Sequence, residues 1–272
     1  MKSAPTYWDG RAVLITGASR GIGRATALWF AERGAHVIVH GRDHNAVTEV
    51  CSEISAAGGR SSSVLGDLRS SSTCEQVIES AAQLAGQLDV LVNNAGANVF
   101  RGVLDATIED WDDCLNLDLR AVWLCSKTAA RVMRPGSSII NITSNHATST
   151  LAGVFPYNVA KAGANALTQS LAIELADQGI RVVAIAPGYV DTPINDTYFA
   201  SFPNPSAARR AAEKLHIVNR LANPTEIAAA IEFFADTSRS GFTTGNVVTI
   251  DGGRSALLQD PGLAFAENGD EK

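Results

Sequence analysis

Cysteine is scarce and scattered: Cys51, Cys74, Cys114 and Cys125 are the four in 272 residues, and no two stand in a C-x-x-C pair. That spacing argues against a disulfide scaffold and a cysteine-held zinc, and it suits buried thiols in a reducing compartment. Basic residues are too few to recruit polyanions. With 22 Lys and Arg against 28 Asp and Glu the formal net charge is -6, so neither nucleic acid nor an anionic membrane surface is an expected partner. No run approaches the ~18 uninterrupted apolar residues of a spanning helix. Lys2 is followed by polar residues and Pro5 rather than an apolar signal segment, so the expected location is the cytoplasm. Internal repeats and low-complexity tracts are also lacking. These absences leave a small molecule as the expected partner.

Hydrophobic residues make up 46% of the chain and charged residues 18%, enough apolar material for a core, and α/β folds of this length often form one unit. Short β-rich runs at 12–16, 37–40, 62–65, 90–92, 138–142, 182–185 and 247–250 alternate with helical patterns beginning near Ile22, His44, Thr73, Trp111, Tyr157 and Thr225. Parallel strands need crossovers and helices supply them. The alternation therefore predicts an α/β, doubly wound Rossmann-type fold, with a single seven-stranded parallel sheet and helices on both faces, spanning 1–272 as one domain. Gly34 and Gly58-Gly59 read as helix stops and Pro224-Thr225 as a helix entry. The Pro/Asn-rich stretch 190–223 is too long for an idle connection and reads as a substrate lid; 259–272 reads as a mobile tail.

The first strand runs into Thr16-Gly17-Ala18-Ser19-Arg20-Gly21-Ile22-Gly23, and a helical pattern follows at once. Glycines there let the backbone approach a pyrophosphate, while the unpaired N–H groups and dipole of the helix start attract its charge. The spacing is G-x-x-x-G-x-G and lacks the G-K-[ST] ending of a triphosphate loop, which favours a dinucleotide.

The residue closing the second strand decides between the two nicotinamide cofactors: an acid binds a free ribose 2′-hydroxyl, an arginine accommodates a 2′-phosphate. Here the strand ends Val39-His40-Gly41-Arg42-Asp43. Gly41 stands where the acid is expected and Arg42 follows, with Arg20 of the loop able to close on the same phosphate. NADP(H) is the expected cofactor, and NAD(H) is the rival if Asp43 reaches the ribose. Asp67, with Leu68 beside it after the third strand, reads either as a partner for the adenine amino group or as a turn acid before a helix.

Tyr157 and Lys161 open a helical segment four residues apart and share one face. A free phenol titrates near ~10, but a neighbouring ammonium favours the phenolate and brings proton exchange with an alcohol or ketone within reach. Ser144 ends the fifth strand run, where parallel sheets present ligands to a crevice, and could hold the substrate oxygen or simply cap a turn.

On these residues the sequence resembles the short-chain dehydrogenase/reductase family over about residues 8–256. The loop from Thr16 to Gly23, Asn93-Asn94-Ala95-Gly96, Ser144, Tyr157 with Lys161, Pro187-Gly188-Tyr189-Val190-Asp191-Thr192, and Thr244-Gly245 leading to Asp251-Gly252-Gly253 carry the likeness. The resemblance implies that Ser144 orients substrate, Tyr157 is the general acid/base, and Lys161 binds the nicotinamide ribose while lowering the tyrosine's pKa. Asn94 and Gly96 would line the adenosine side, and Val190 and Thr192 would flank the nicotinamide carboxamide. It also implies a homotetramer or homodimer. Hydride passes directly between cofactor and substrate carbon, so no metal is expected.

One position departs from the family's pattern, which has an active-site asparagine where this chain has Asp118. Asn116 cannot stand in, because two residues along a helix turn about 200°. Two consequences stay open: a proton relay through Asp118 with altered pH dependence, or a dinucleotide-binding sensor with weak catalysis. Substrate identity is not legible. Asn98, Val99, Phe100, Asn145, His146, Phe155, Tyr189 and the region 198–202 are candidates to face it, and their mixture suits sugars, polyols, oxoacyl chains or cyclic ketones.

Overall fold

A computed structural model describes residues 7–257. The expected tail at 259–272 lies outside the described residues.

Strand β1 (Ala12–Ile15) leads into α1 (Gly21–Glu32), β2 (His36–Gly41), α2 (His44–Ala56), β3 (Arg60–Leu65), α3 (Ser71–Ala85) and β4 (Leu88–Asn93). A two-residue strand β5 (Phe100–Arg101) precedes α4 (Ile108–Leu115), a π-helical turn (Asn116–Arg120) and α5 (Ala121–Ala130). Then come β6 (Met133–Ile142), the short β7 (Phe155–Pro156) paired to β5, α6 (Tyr157–Glu174) and β8 (Arg181–Pro187). The last elements are α7 (Pro193–Ala200), α8 (Pro205–Lys214), α9 (Pro224–Ala235), α10 (Thr237–Ser240) and β9 (Val247–Ile250).

The seven long strands form one parallel sheet in the order β3-β2-β1-β4-β6-β8-β9. Side chains alternate across it, as the two-residue period of a strand requires. Val13 and Ile15 join Val37, Val39, Ile140, Val183 and Ile185 beneath α1, α2 and α9, with Phe30 at the centre. Leu14, Ile38, Leu91, Ile139 and Val182 face the other way against α3, α5 and α6. Both faces are buried, which explains why the central strands read as unbroken apolar runs.

The chain reverses its direction of growth between β3 and β4, which flank the sheet from opposite sides of β1. At such a switch point neighbouring loops splay apart beyond the carboxyl ends of the strands and leave a crevice.

The expected lid is more ordered than a loop. It contains α7 and α8, with Pro193 and Pro205 in their first turns and Asn204 capping the second through its bond from the Ala207 N–H. Residues that read as loop formers are here helix starters, since proline lacks only an N–H that a first turn leaves unpaired. The ends of the segment are tied together: Asp191 N–H donates to the Ala222 carbonyl and Ala222 N–H to that of Tyr189. Between them Phe199, Ala212 and Leu221 make a small core of their own.

Candidate active site

A cavity of about 730 Å³ lies at the switch point. It is lined by Gly17, Ser19, Arg20, Gly21, Ile22, Arg42, Asp67, Leu68, Asn94, Ala95, Gly96, Asp118, Ser144, Tyr157, Lys161, Pro187, Gly188, Val190 and Thr192. Of the residues singled out from sequence, Gly23 is not on the wall. It lies behind it, where a Cβ would come within 2.3 Å of the Gly17 carbonyl and 2.5 Å of Asn94 Nδ2. Its smallness lets α1 start hard against the loop. Asn94 holds that loop from the far side, donating through Nδ2 to the carbonyls of Thr16 and Gly17.

The start of α1 has no side-chain cap, so first-turn N–H groups are available to an anion. Together with the close-packed glycine loop and the cavity's size, this fits the pyrophosphate of a dinucleotide. A residue overlooked in the sequence holds the loop in place. His40 accepts the Gly17 N–H at Nδ1 (3.2 Å) and donates from Nε2 to the Gly66 carbonyl (3.1 Å). Only the neutral ring can do both. Burial pushes its pKa down to about 4, against smaller upward pulls from the Gly66 carbonyl and Asp67. A hydrophilic residue inside an apolar strand was the available signal.

At the end of β2 the Gly41 position is tight: a Cβ would meet Val47 Cγ2 at 2.7 Å, so a larger residue there requires Val47 to shift. Asp43, the alternative ribose reader, uses its carboxylate to cap α2 through the N–H groups of Asn45 and Ala46. Arg42 is exposed at the cavity and pairs with Asp67 at 3.4 Å. Asp67 also takes the Arg69 N–H on Oδ1, the bond of a turn acid, while Oδ2 is the oxygen that meets Arg42. Burial raises the Asp67 pKa, but the Arg69 N–H and the two guanidinium groups outweigh it and leave the carboxyl below its usual range.

At the opposite end of the cavity, Ser144 accepts the His146 N–H, capping a 3-10 turn, and stands beside Tyr157. The cap and the cavity position coexist. Lys161 is buried, donates to the Ile142 carbonyl at 3.1 Å, and lies 5.5 Å from the centre of the Tyr157 ring. Its closest partner is Asp118, with Nζ 3.0 Å from Oδ1 and neither side chain more than 6% exposed. The other Asp118 oxygen accepts the Ala97 N–H at 3.1 Å. A π-helical turn turns residue 118 inward; the extra backbone residue of such turns commonly serves a functional site.

Lys161 lowers the Tyr157 pKa as expected, but its pull does not set the net direction. Burial raises the phenol first, Lys161 pulls it down, and Asp118 pushes it back up, with a smaller downward pull from Ser144; the net direction is up. Lys161 itself is lowered by burial but raised more by Asp118 and Tyr157, so it is held as an ammonium. Asp118 is thus the counter-ion of Lys161 beside Tyr157.

Of the candidate substrate residues, Asn98, Phe100, Asn145, His146 and Tyr189 line the cavity, whereas Val99, Phe155 and residues 198–202 do not. Tyr198 instead backs Phe100, with ring centres 5.8 Å apart. Arg254, unremarked in the sequence, does line it. Among the described residues no helix is long and apolar enough to cross a membrane, and no cluster of metal-ligating side chains exists.

The comparisons with known proteins agree with this geometry. A family model described as enoyl-(acyl carrier protein) reductase matches residues 17–255. The chain is 38% identical over 250 residues to cis-4-hydroxycyclohexanecarboxylate dehydrogenase of Sinomonas cyclohexanicum, covering 91% of this chain and 97% of that one. It is 34% identical to a 3-oxoacyl-[acyl-carrier-protein] reductase of Synechocystis, covering 91% and 98%. A short-chain dehydrogenase of Burkholderia cenocepacia, solved in complex with NADP, superposes with a TM-score of 0.84 at 31% identity, covering 91% of this chain and 99% of that one. By fold, motif and likeness alike, the chain belongs to the short-chain dehydrogenase/reductase family and is an oxidoreductase of alcohol or ketone substrates.

Proposed function

We propose that this chain is an NADP(H)-dependent carbonyl reductase or secondary-alcohol dehydrogenase, with NAD(H) the weaker cofactor and Tyr157 the general acid/base. The observation that carries the reading is the half-buried Tyr157 with the buried Lys161–Asp118 pair, beside Ser144 at one end of a dinucleotide-sized cavity. When bound, the cofactor supplies or accepts a hydride at its nicotinamide ring. Pyrophosphate is held by the loop from Gly17 to Ile22, the 2′-phosphate by Arg42 with Arg20, and the nicotinamide ribose by Lys161.

Ser144 Oγ donates a hydrogen bond to the substrate oxygen and fixes it near Tyr157. In reduction the Tyr157 hydroxyl gives its proton to the carbonyl oxygen as the carbon gains hydride; in oxidation the phenolate takes the hydroxyl proton. Lys161, kept charged by Asp118, stabilises that phenolate and passes the compensating proton on. Positioning supplies much of the rate, since both partners are held before reaction. In this reading 1–272 act as one domain, and 190–223 form a lid hinged where its ends are tied. The family resemblance favours a homotetramer or homodimer, and four unpaired thiols suit a cytoplasmic setting.

NADP(H) is supported by Arg42 on the cavity wall, by the tight contact an acid at Gly41 would make with Val47, and by the use of Asp43 Oδ1 as a helix cap. The decisive assay runs NADPH and NADH side by side over a panel of ketones. Tyr157→Phe should lower kcat by about 10²–10⁴-fold while cofactor binding, read by fluorescence, persists. A variant that keeps its turnover removes Tyr157 from the proton transfer. Arg42→Ala should weaken NADPH at least tenfold more than NADH, and equal losses would mean that Arg42 does not read the phosphate.

A further inference from the structure

The substrate end of the cavity contains one charge that the oxidoreductase chemistry does not use. Arg254 follows the turn Asp251-Gly252-Gly253, in which both glycines have positive φ (59° and 82°) and the Asp251 carboxylate accepts the N–H groups of Gly253 and Ser255. The Asp251 carboxylate also takes a long bond from Asn145 Nδ2 at 3.5 Å, so its oxygens are occupied by neutral donors. The turn is therefore built as a rigid bracket that starts Arg254 from a fixed point beside the cavity.

The guanidinium lies 4.9 Å from the centre of the Tyr189 ring and lines the same cavity as Ser144 and Tyr157. Among the described residues it ion-pairs with no carboxylate. The other cations on the cavity wall have work: Lys161 is matched by Asp118, Arg42 stands at the far, adenosine end beside Asp67, and Arg20 belongs to the glycine loop and is assigned with Arg42 to the 2′-phosphate. Tyr189, which meets the guanidinium through its ring and its hydroxyl, is neutral, as are Phe100, Asn98 and Asn145 on the cavity wall. His146 is neutral too, because burial, followed by the charge of Arg254, pushes it down to about 4.

An arginine resting on an aromatic face keeps a planar fork of N–H donors for a planar anion, and carboxylates match that fork in two parallel bonds. We infer that the substrate is a carboxylate-bearing ketone or alcohol, whose carboxylate is held by Arg254 while its reacting oxygen lies between Ser144 and Tyr157. The inference rests on the Tyr157 reading of the site and deepens it by naming the substrate class. Arg254 takes no part in proton or hydride movement; it sets which molecules are presented to Tyr157.

The test compares 4-oxopentanoate, 5-oxohexanoate and 4-oxocyclohexanecarboxylate with their methyl esters, in the full-length protein with saturating cofactor. Each ester keeps the ketone and removes the charge. The best acid should exceed its own ester in kcat/KM by about ten- to hundredfold, the strength of a charged hydrogen-bonded pair. In Arg254→Gln that acid-to-ester ratio should fall to within about threefold of one, with the loss in KM rather than kcat, and Arg254→Lys should restore part of it. Esters and neutral ketones turned over as well as the acids, or an acid preference that survives Arg254→Gln, would overturn the assignment and leave the oxidoreductase reading standing. No turnover of any acid, ester or neutral ketone would instead bring down the Tyr157 reading, and this inference with it.

Discussion

Asp118 shows how one carboxylate changes the chemistry of a neighbour it does not touch. Its charge lies against Lys161 rather than Tyr157, yet it cancels part of the ammonium field that would otherwise favour phenolate. Reduction needs the protonated phenol and tolerates this; oxidation needs the phenolate and is pushed toward alkaline pH. In Asp118→Asn the amide cannot balance the ammonium, so the rising limb of kcat against pH for alcohol oxidation should move to lower pH. A limb that stays in place, with turnover unchanged, would remove Asp118 from the mechanism. The substitution should also cost stability, because Lys161 would be left buried without its counter-ion. Breaking such pairs costs about 3–5 kcal/mol, and urea unfolding with Asp118→Ala reads it directly.

The glycine loop and the start of α1 work as an element only because two braces hold them from either side. One is the packing of Gly23 against the Gly17 carbonyl and Asn94. Gly23→Ala should therefore displace the loop and weaken dinucleotide binding at least tenfold, measured by fluorescence titration, with the sheet intact by circular dichroism. The other brace is His40, which fixes the loop to the β3–α3 connection in its neutral form only. The unfolded chain protonates this ring near its ordinary value of 6.5, whereas the native chain resists until about 4. Proton uptake by the unfolded state then destabilises the fold as pH falls from 6.5 toward 4, and the contribution is fully present above 6.5. A shift of this size amounts to about 1–3 kcal/mol, so His40→Gln should flatten the stability profile across that window. An identical slope in both proteins would contradict the role given to the ring.

At the scale of the whole molecule, a buried polar chain joins the sheet to the helices that carry Asp118, Tyr157 and Lys161. Asn93 Nδ2 donates to Asn141 Oδ1 at 2.9 Å and to Ser126 at 3.0 Å, and Asn141 Nδ2 donates to Thr168 Oγ1 at 2.9 Å. β4 and β6 are thereby tied to α5, which continues the π turn of Asp118, and to α6, which presents Tyr157 and Lys161. Fully satisfied, such a network fixes one arrangement of these elements; cut once, it leaves buried donors and acceptors without partners. Asn141→Ala should lower the unfolding free energy by about 2–3 kcal/mol, measured by urea titration. Turnover should suffer more than cofactor binding, because the helices it ties carry the proposed catalytic residues and not the glycine loop.

Strand and helix order, the phosphate loop, and the Ser144, Tyr157 and Lys161 set were legible because each rests on a local rule. The period of the apolar residues reports which face is buried, glycines mark close backbone approach, and four residues along a helix share a face. The helices inside 190–223 were hidden by their own proline and asparagine starters, which resemble loop formers until a helix is seen to follow. Where two charges meet across the fold, sequence spacing says nothing. Asp118 lies 43 residues before Lys161, and the fold brings them within 3.0 Å; burial first, with Asp118 offsetting part of the Lys161 pull, turns the expected shift of Tyr157 upward. His40 and Arg254 became visible for the same reason, since each acts through partners brought near by the sheet rather than the chain. The sequence determined the architecture and the kind of chemistry, and tertiary contact decided the protonation balance and the charge that the substrate end presents.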